Sequence, residues 1–221
     1  MSEMLAARQK MVDGQVRPSD VTDLRIIEAM LTVPREIFVP KELQALAYLD
    51  LDIEVGGAGK TKAFLIKPAV LARMLQAAAI AATDKVLVAG CATGYAAAIT
   101  SRLAGEVVAT ECDADTAAAA RAALIAADAR HVGVVIAQAA QGRADSGPYD
   151  VIVLDGASEI VPEDLYRQLK VGGRLVGVFA LSAPARATLV TRSSADYGSR
   201  ALFDATAPVL PGLEKVPAFA F

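Results

Sequence analysis

Residues 85–95, Lys-Val-Leu-Val-Ala-Gly-Cys-Ala-Thr-Gly-Tyr, run a short apolar segment straight into a turn that holds Gly90 and Gly94. Few folds accept such a run. An uninterrupted apolar stretch of this length before a glycine turn reads as a strand buried on both faces, and the glycines let the chain reverse into a helix. A second apolar run, Glu106-Val107-Val108-Ala109-Thr110, ends in Glu111, which stands 21 residues after Gly90. In a doubly wound sheet, an acid about 20 residues beyond the glycine turn holds the ribose of a nucleotide-like cofactor.

The rest of the chain extends this alternation. Helices are expected near 68–82, 94–104, 114–128 and 162–169, and strands near 85–90, 106–111, 132–137, 149–155 and 174–180. Strands alternating with helices predict an α/β fold with a doubly wound, mostly parallel sheet. Beyond Ser182 the alternation stops. Segments 188–192 and 200–205 read as two strands joined by a turn, giving seven strands with an antiparallel C-terminal pair. The first 55 residues read as an N-terminal helical subdomain, with a helix at 21–31 capped by Ser19 or Asp20 and a short one at 41–47. Residues 56–221 would then form the Rossmann-like domain. Gly59-Lys60-Thr61 imitates the end of a phosphate loop, but no buried strand precedes it and the first glycine is misplaced.

Composition narrows the class. Apolar residues make up 54% of 221, enough for a sizeable core. The most apolar helix, 69–82, carries Arg73 and Gln76 and is too short to span a bilayer. Residues 1–17 lack the apolar block of a secretory signal, so a cytoplasmic location is expected. A net charge of −3 gives no reason to expect nucleic-acid binding. Cys91 and Cys112 form neither a disulfide framework nor a metal set. His131, the single histidine, precedes a strand away from the strands' carboxyl ends and reads as a surface residue.

Several pieces outside the cofactor turn carry a resemblance. They are Val33-Pro34-Arg35-Glu36-Ile37-Phe38-Val39-Pro40, Ala47-Tyr48-Leu49-Asp50, the glycine-rich loop 56–59, and Lys67-Pro68 with the helix that follows. Together with Tyr149-Asp150-Val151-Ile152-Val153 and Gly172-Gly173-Arg174-Leu175-Val176, they resemble the protein-L-isoaspartate O-methyltransferase family over roughly residues 10–180. The resemblance implies a class I methyltransferase fold and S-adenosylmethionine as cofactor, with S-adenosylhomocysteine as product. It also implies a protein or peptide substrate, methylated on the carboxyl of an isoaspartyl residue. Within it, Gly90, Cys91, Ala92, Thr93, Gly94, Glu111, Cys112 and Gln138 fall at cofactor-binding positions.

The departures bear on function. The family's active-site serine falls at Ile66, whose side chain cannot donate a hydrogen bond. The turn usually carries an acid where Val88 stands and a glycine where Ala92 stands. Ala92 is tolerable with ordinary backbone angles and costly if the position needs a positive φ. Gln138 is the nearest equivalent of an acid that receives the adenine amine, or else an exposed loop amide. Glu111 is either the ribose acceptor or a solvated strand-end acid, and Cys112 either lines the adenine site or fills core. Asp155, with Ile66 the second catalytic candidate, ends its strand where the family tends to have a small neutral residue. It faces the methyl-transfer site or serves the following loop. In the site, an acid would repel a carboxylate acceptor and suit an amine or hydroxyl. Lys60, Lys62 and Lys67 around the altered loop either attract an acidic acceptor or form a solvated face. Asp50 is expected to fix the loop. The altered positions motivate a second reading, a non-catalytic or re-purposed relative. A dinucleotide oxidoreductase fits less well, because the turn lacks the full dinucleotide fingerprint.

Overall fold

The computed structural model describes residues 3–56 and 61–216. The expectations for Gly57, Ala58, Gly59 and Lys60 lie outside the described residues. Helices span α1 (Glu3–Met11), α2 (Leu24–Thr32), α3 (Pro68–Ala78), α4 (Tyr95–Thr100), α5 (Ala114–Ala126) and α6 (Glu163–Arg167). Strands span β1 (Ile53–Glu54), β2 (Phe64–Leu65), β3 (Lys85–Ala89), β4 (Glu106–Glu111) and β5 (Gly133–Ile136), then β6 (Tyr149–Ser158), β7 (Leu169–Phe179), β8 (Arg186–Arg192) and β9 (Tyr197–Asp204).

The main sheet runs β5-β4-β3-β6-β7-β8-β9. Its first five strands are parallel, and β8 lies antiparallel to both β7 and β9. Side chains alternate between two core layers, as the period of two requires. Val86, Val88, Val151 and Val153 pack on one face, Leu87, Ala89, Ile152 and Leu154 on the other. Burial on both faces explains why these strands are unbroken apolar runs. The strand order reverses between β3 and β6. That reversal opens a crevice at the strands' carboxyl ends, where ligands of such sheets sit.

The regular elements fall where the apolar pattern placed them, with four differences. Asp23 caps α2 by accepting from Arg25 N, whereas Ser19 Oγ donates to Gln15 O and Asp20 takes φ 62°. The segment expected to be a helix at 41–47 is a 3-10 helix, Lys41–Leu46. β1 and β2 form a small antiparallel pair that two-residue strands leave without a periodic signature. Strand β7 begins at Leu169 rather than at 174, because a register irregularity against β6 carries Gly172-Gly173 within the strand.

The N-terminal segment is joined to the sheet through Arg35, which is 0% exposed. Its Nε donates to Ala47 O and its Nη2 to Ile66 O, each at 2.8 Å. The guanidinium stacks 4.6 Å above the Tyr95 ring of α4, and Phe38 meets that ring edge-on at 5.6 Å. Thr93 Oγ1 donates to Phe38 O at 2.5 Å, so the glycine turn itself is tied to the same segment. Nearby, the Tyr48 hydroxyl accepts from Arg8 Nε at 2.9 Å and donates to the Glu36 carboxylate. A lysine at position 35 has one point charge and no planar fork, so it cannot serve both carbonyls and stack on the ring. Arg35→Lys is therefore expected to lower stability by about 2–3 kcal/mol, the scale of a lost charge-assisted hydrogen bond. Urea denaturation checks this, and an unchanged midpoint would contradict it.

Candidate active site

The site is built where β3 and β4 end, beside β6, in which Asp155 does not end its strand as expected but lies at a register irregularity between Val153 and Ala157. β3 passes into the turn with Cys91 N donating to Thr110 O at 2.8 Å, which locks the turn to β4. Gly90 and Gly94 take φ of 73° and 99°, and Ala92 takes 48°. The turn therefore does need a positive φ at Ala92, and the alanine holds it at a cost of about 1 kcal/mol. Gly94 starts α4, and a Cβ there would come within 3.2 Å of Leu124. Cys91 is fully buried, and burial raises its thiol well above the ordinary range. With Thr93 and Gly94 it shapes the turn, and none of the three lines the cleft above it.

That cleft is narrow, with a cavity volume of about 20 Å³, and is lined by Gly90, Ala92, Glu111 and Cys112. Phe64 and Ala139 stand at its sides. Glu111 is 4% exposed. Its Oε1 accepts from Cys112 N at 2.8 Å and from Asp113 N at 3.2 Å, and the backbone of Ala92 also donates to the carboxylate. Burial pushes its pKa up and these donors pull it down. The carboxylate is thus fixed in direction as well as place. Cys112 lies beside it, its Sγ donating to Glu111 Oε1 at 3.4 Å, and burial raises that thiol to about 11. Gln138 is exposed, and its Oε1 lies 3.6 Å from where a Cβ on Gly212 would be. The adjacent Ala139 lines the cleft instead.

Asp155 lines the same cleft and is 3% exposed. Neither of its carboxyl oxygens has a hydrogen-bond partner among the described residues. Burial raises its pKa to about 7, with Arg35 opposing the rise and Glu111 and Asp52 adding to it. Ile66 is 1% exposed, belongs to the main core and does not line the cleft. Its carbonyl is held by Arg35. Lys62 lines the cleft and pairs with Glu54 at 3.3 Å. Asp52, rather than Asp50, fixes the approach to α3 by accepting from Lys67 N at 2.9 Å.

The C-terminal segment closes one side, a contribution absent from the sequence reading. Ala157 N donates to Pro208 O at 2.8 Å and Leu210 N to Ala157 O at 2.9 Å, so this segment adds a short bridge beside β6. Leu210 lies so close to Gly90 and Gly156 that a Cβ on either would come within 2.5 and 2.7 Å of it. The only sequence signal is the apolar Pro208-Val209-Leu210-Pro211 run after the last strand.

Asp155 gives stability a pH dependence of definite sign. Its ordinary carboxyl value is 3.8, and folding raises it to about 7. The folded state binds that proton more tightly, so the contribution is complete below pH 3.8 and is lost as pH rises through about 7. A shift of this size corresponds to about 4 kcal/mol. Asp155→Asn removes the buried titration. It is expected to raise the thermal midpoint at pH 8 and to change it little at pH 5. Equal effects at both pH values would contradict this.

Comparisons with known proteins agree with the geometry. A family model described as Protein-L-isoaspartate(D-aspartate) O-methyltransferase (PCMT) matches residues 6–197. A protein-L-isoaspartate O-methyltransferase of Koribacter versatilis (strain Ellin345) is 39% identical over 169 residues, covering 76% of this chain and 74% of that one. Another, of Rhodopseudomonas palustris (strain HaA2), is 36% identical over 192 residues, covering 86% and 77%. A solved protein-L-isoaspartate O-methyltransferase superposes with a TM-score of 0.82 at 25% identity, over 93% of this chain and 66% of that one. A Plasmodium falciparum structure assigned to the same enzyme class, in complex with S-adenosyl-L-homocysteine, shares the fold with a TM-score of 0.76 at 13% identity, over 95% and 99%. The chain belongs to the protein-L-isoaspartate O-methyltransferase family.

Proposed function

We propose that this chain transfers the methyl group of S-adenosylmethionine to a carboxylate, with an isoaspartyl residue of a protein or peptide as acceptor. The observation that carries the reading is the shared cleft. The fixed Glu111 carboxylate, the glycine turn and Asp155 meet at the carboxyl ends of β3 and β4, beside β6. Family membership supports the acceptor class.

The residues present fit the cofactor. Glu111, with one oxygen committed to backbone donors, offers an oriented carboxylate for ribose hydroxyls. Gly90 and Ala92 line the cleft with no side chain larger than a methyl group. Cys112 and Ala139 provide small apolar surface for the adenine. Leu210 covers Gly90, so a group that reaches that glycine displaces Leu210.

When bound, the cofactor supplies a methyl group activated on a sulfonium sulfur. An acceptor carboxylate is already ionised and nucleophilic near neutral pH, so the protein need not supply a general base. Its task is to hold two reactants in line and keep water out. Phe64, Val209, Leu210 and Pro211 give the cleft apolar walls suited to the second task. No helix among the described residues is long and apolar enough to cross a membrane.

One observation favours the non-catalytic alternative: Ile66 stands at the family's serine position, buried and without a donor. Two measurements separate the readings. Calorimetric titration is expected to show binding of S-adenosylmethionine and S-adenosylhomocysteine, weakened at least ~10-fold in Glu111→Ala by loss of hydrogen bonds to a charged group. Labelled methyl is expected to pass to an isoaspartyl peptide and not to its aspartyl counterpart. Cofactor binding without transfer to either peptide would overturn the proposed acceptor. No cofactor binding would leave the non-catalytic alternative.

A further inference from the structure

We propose that Asp155 is a specificity-determining contact for the methyl acceptor, its protonated carboxyl donating a hydrogen bond to the acceptor carboxylate within the cleft. This deepens the carboxylate reading above and rests on it.

Buried polar atoms almost always have a partner, and one left without it is costly. Both oxygens of Asp155 lack one, and Asp155 is among the residues that line the cleft in which the acceptor would sit. The groups facing Asp155 come from every element around it. Arg35 reaches it from the 3-10 turn at 35–38, Glu111 from β4 and Asp52 from the segment before β1. Tyr95 of α4 lies under the Arg35 guanidinium, Cys91 comes from the turn, and Lys62 stands at the cleft wall. None of these cations forms an ion pair with Asp155: Lys62 pairs with Glu54, while two of Arg35's nitrogens are spent on backbone carbonyls. Two further acids and an apolar wall therefore act on a carboxyl that has one unpaired guanidinium in the vicinity. The neutral form is favoured up to about pH 7.

Neutrality reverses the expectation for an acid at this position. An ionised Asp155 would repel a carboxylate, but a protonated one carries an O–H that bonds a carboxylate through a short, charge-assisted contact. It thereby supplies a donor that Ile66 cannot. In the transfer, the bond that forms joins one acceptor oxygen to the methyl carbon, and the bond that breaks joins that carbon to sulfur. The proton on Asp155 stays with Asp155. After transfer the acceptor is a neutral ester, a weaker hydrogen-bond acceptor than a carboxylate, so the contact loosens on the product.

The test compares the wild type with Asp155→Asn, whose amide donates at every pH, and Asp155→Ala, which cannot donate. For an isoaspartyl peptide, the wild-type kcat/KM is expected to fall about tenfold per pH unit above a break near 7. Asp155→Asn is expected to give a flat profile over the same range. Asp155→Ala is expected to lose about tenfold at low pH, mainly through KM, on the scale of one charge-assisted hydrogen bond. A readout independent of turnover is peptide binding to the S-adenosylhomocysteine complex, titrated at pH 8 in buffers of different ionisation enthalpy. The wild type is expected to take up close to one proton per peptide, and Asp155→Asn none. Active wild type and Asp155→Asn with the same pH profile, or no proton uptake by the wild type, would overturn this proposal alone. Wild type that binds S-adenosylhomocysteine but methylates no isoaspartyl peptide between pH 5.5 and 9 would overturn the carboxylate reading and this proposal with it.

Discussion

A guanidinium with no exposure to water ties the segment at 35–47 to Ile66 and to the helix after the glycine turn. Arg35 spans from Ala47 to Ile66 through two 2.8 Å hydrogen bonds and stacks on Tyr95, the first residue of the helix that leaves the cofactor turn. A buried cation is costly unless its donors are satisfied and its charge is compensated. Here backbone carbonyls and an aromatic face satisfy most of it, and the acids at Asp155 and Asp52 lie within its field. The arrangement fixes the N-terminal segment over the carboxyl edge of the sheet and sets the electrostatics of the cleft beside it.

Much of the fold was legible because burial imposes periodicity. Strands β3 and β6 are apolar runs for the reason that both faces are covered. What was not legible depended on contacts distant in sequence. Leu210 lies 120 residues from Gly90 and closes on it through a bridge with Ala157 that no local pattern announces. The pair β1–β2 is too short to show alternation. The α2 cap fell to Asp23 rather than to Ser19 or Asp20, because Asp23 stands immediately before Leu24 with an extended backbone that turns its carboxylate onto Arg25 N.

The site was legible in outline and not in charge state. Gly90, Ala92, Glu111, Cys112 and Asp155 do share one cleft, while Cys91, Thr93 and Gly94 support it and Ile66 sits in the core. An acid at position 155 reads from sequence as negative and hostile to a carboxylate. Its three-dimensional surroundings push its pKa up, through burial and the neighbouring Glu111 and Asp52. Ile66 lies in the core without a donor, whereas Asp155 is among the residues that line the cleft.

The central claim is that the glycine turn, Glu111 and the C-terminal segment form one ligand site. Amide chemical-shift mapping by NMR during titration with S-adenosylhomocysteine tests it most directly. The account predicts the largest shifts at Gly90, Ala92, Cys112, Ala139 and Leu210, the last because it covers the turn. Shifts confined to the separate groove lined by Tyr166, Phe179, Leu181 and Tyr197, or no shifts at all, would contradict it.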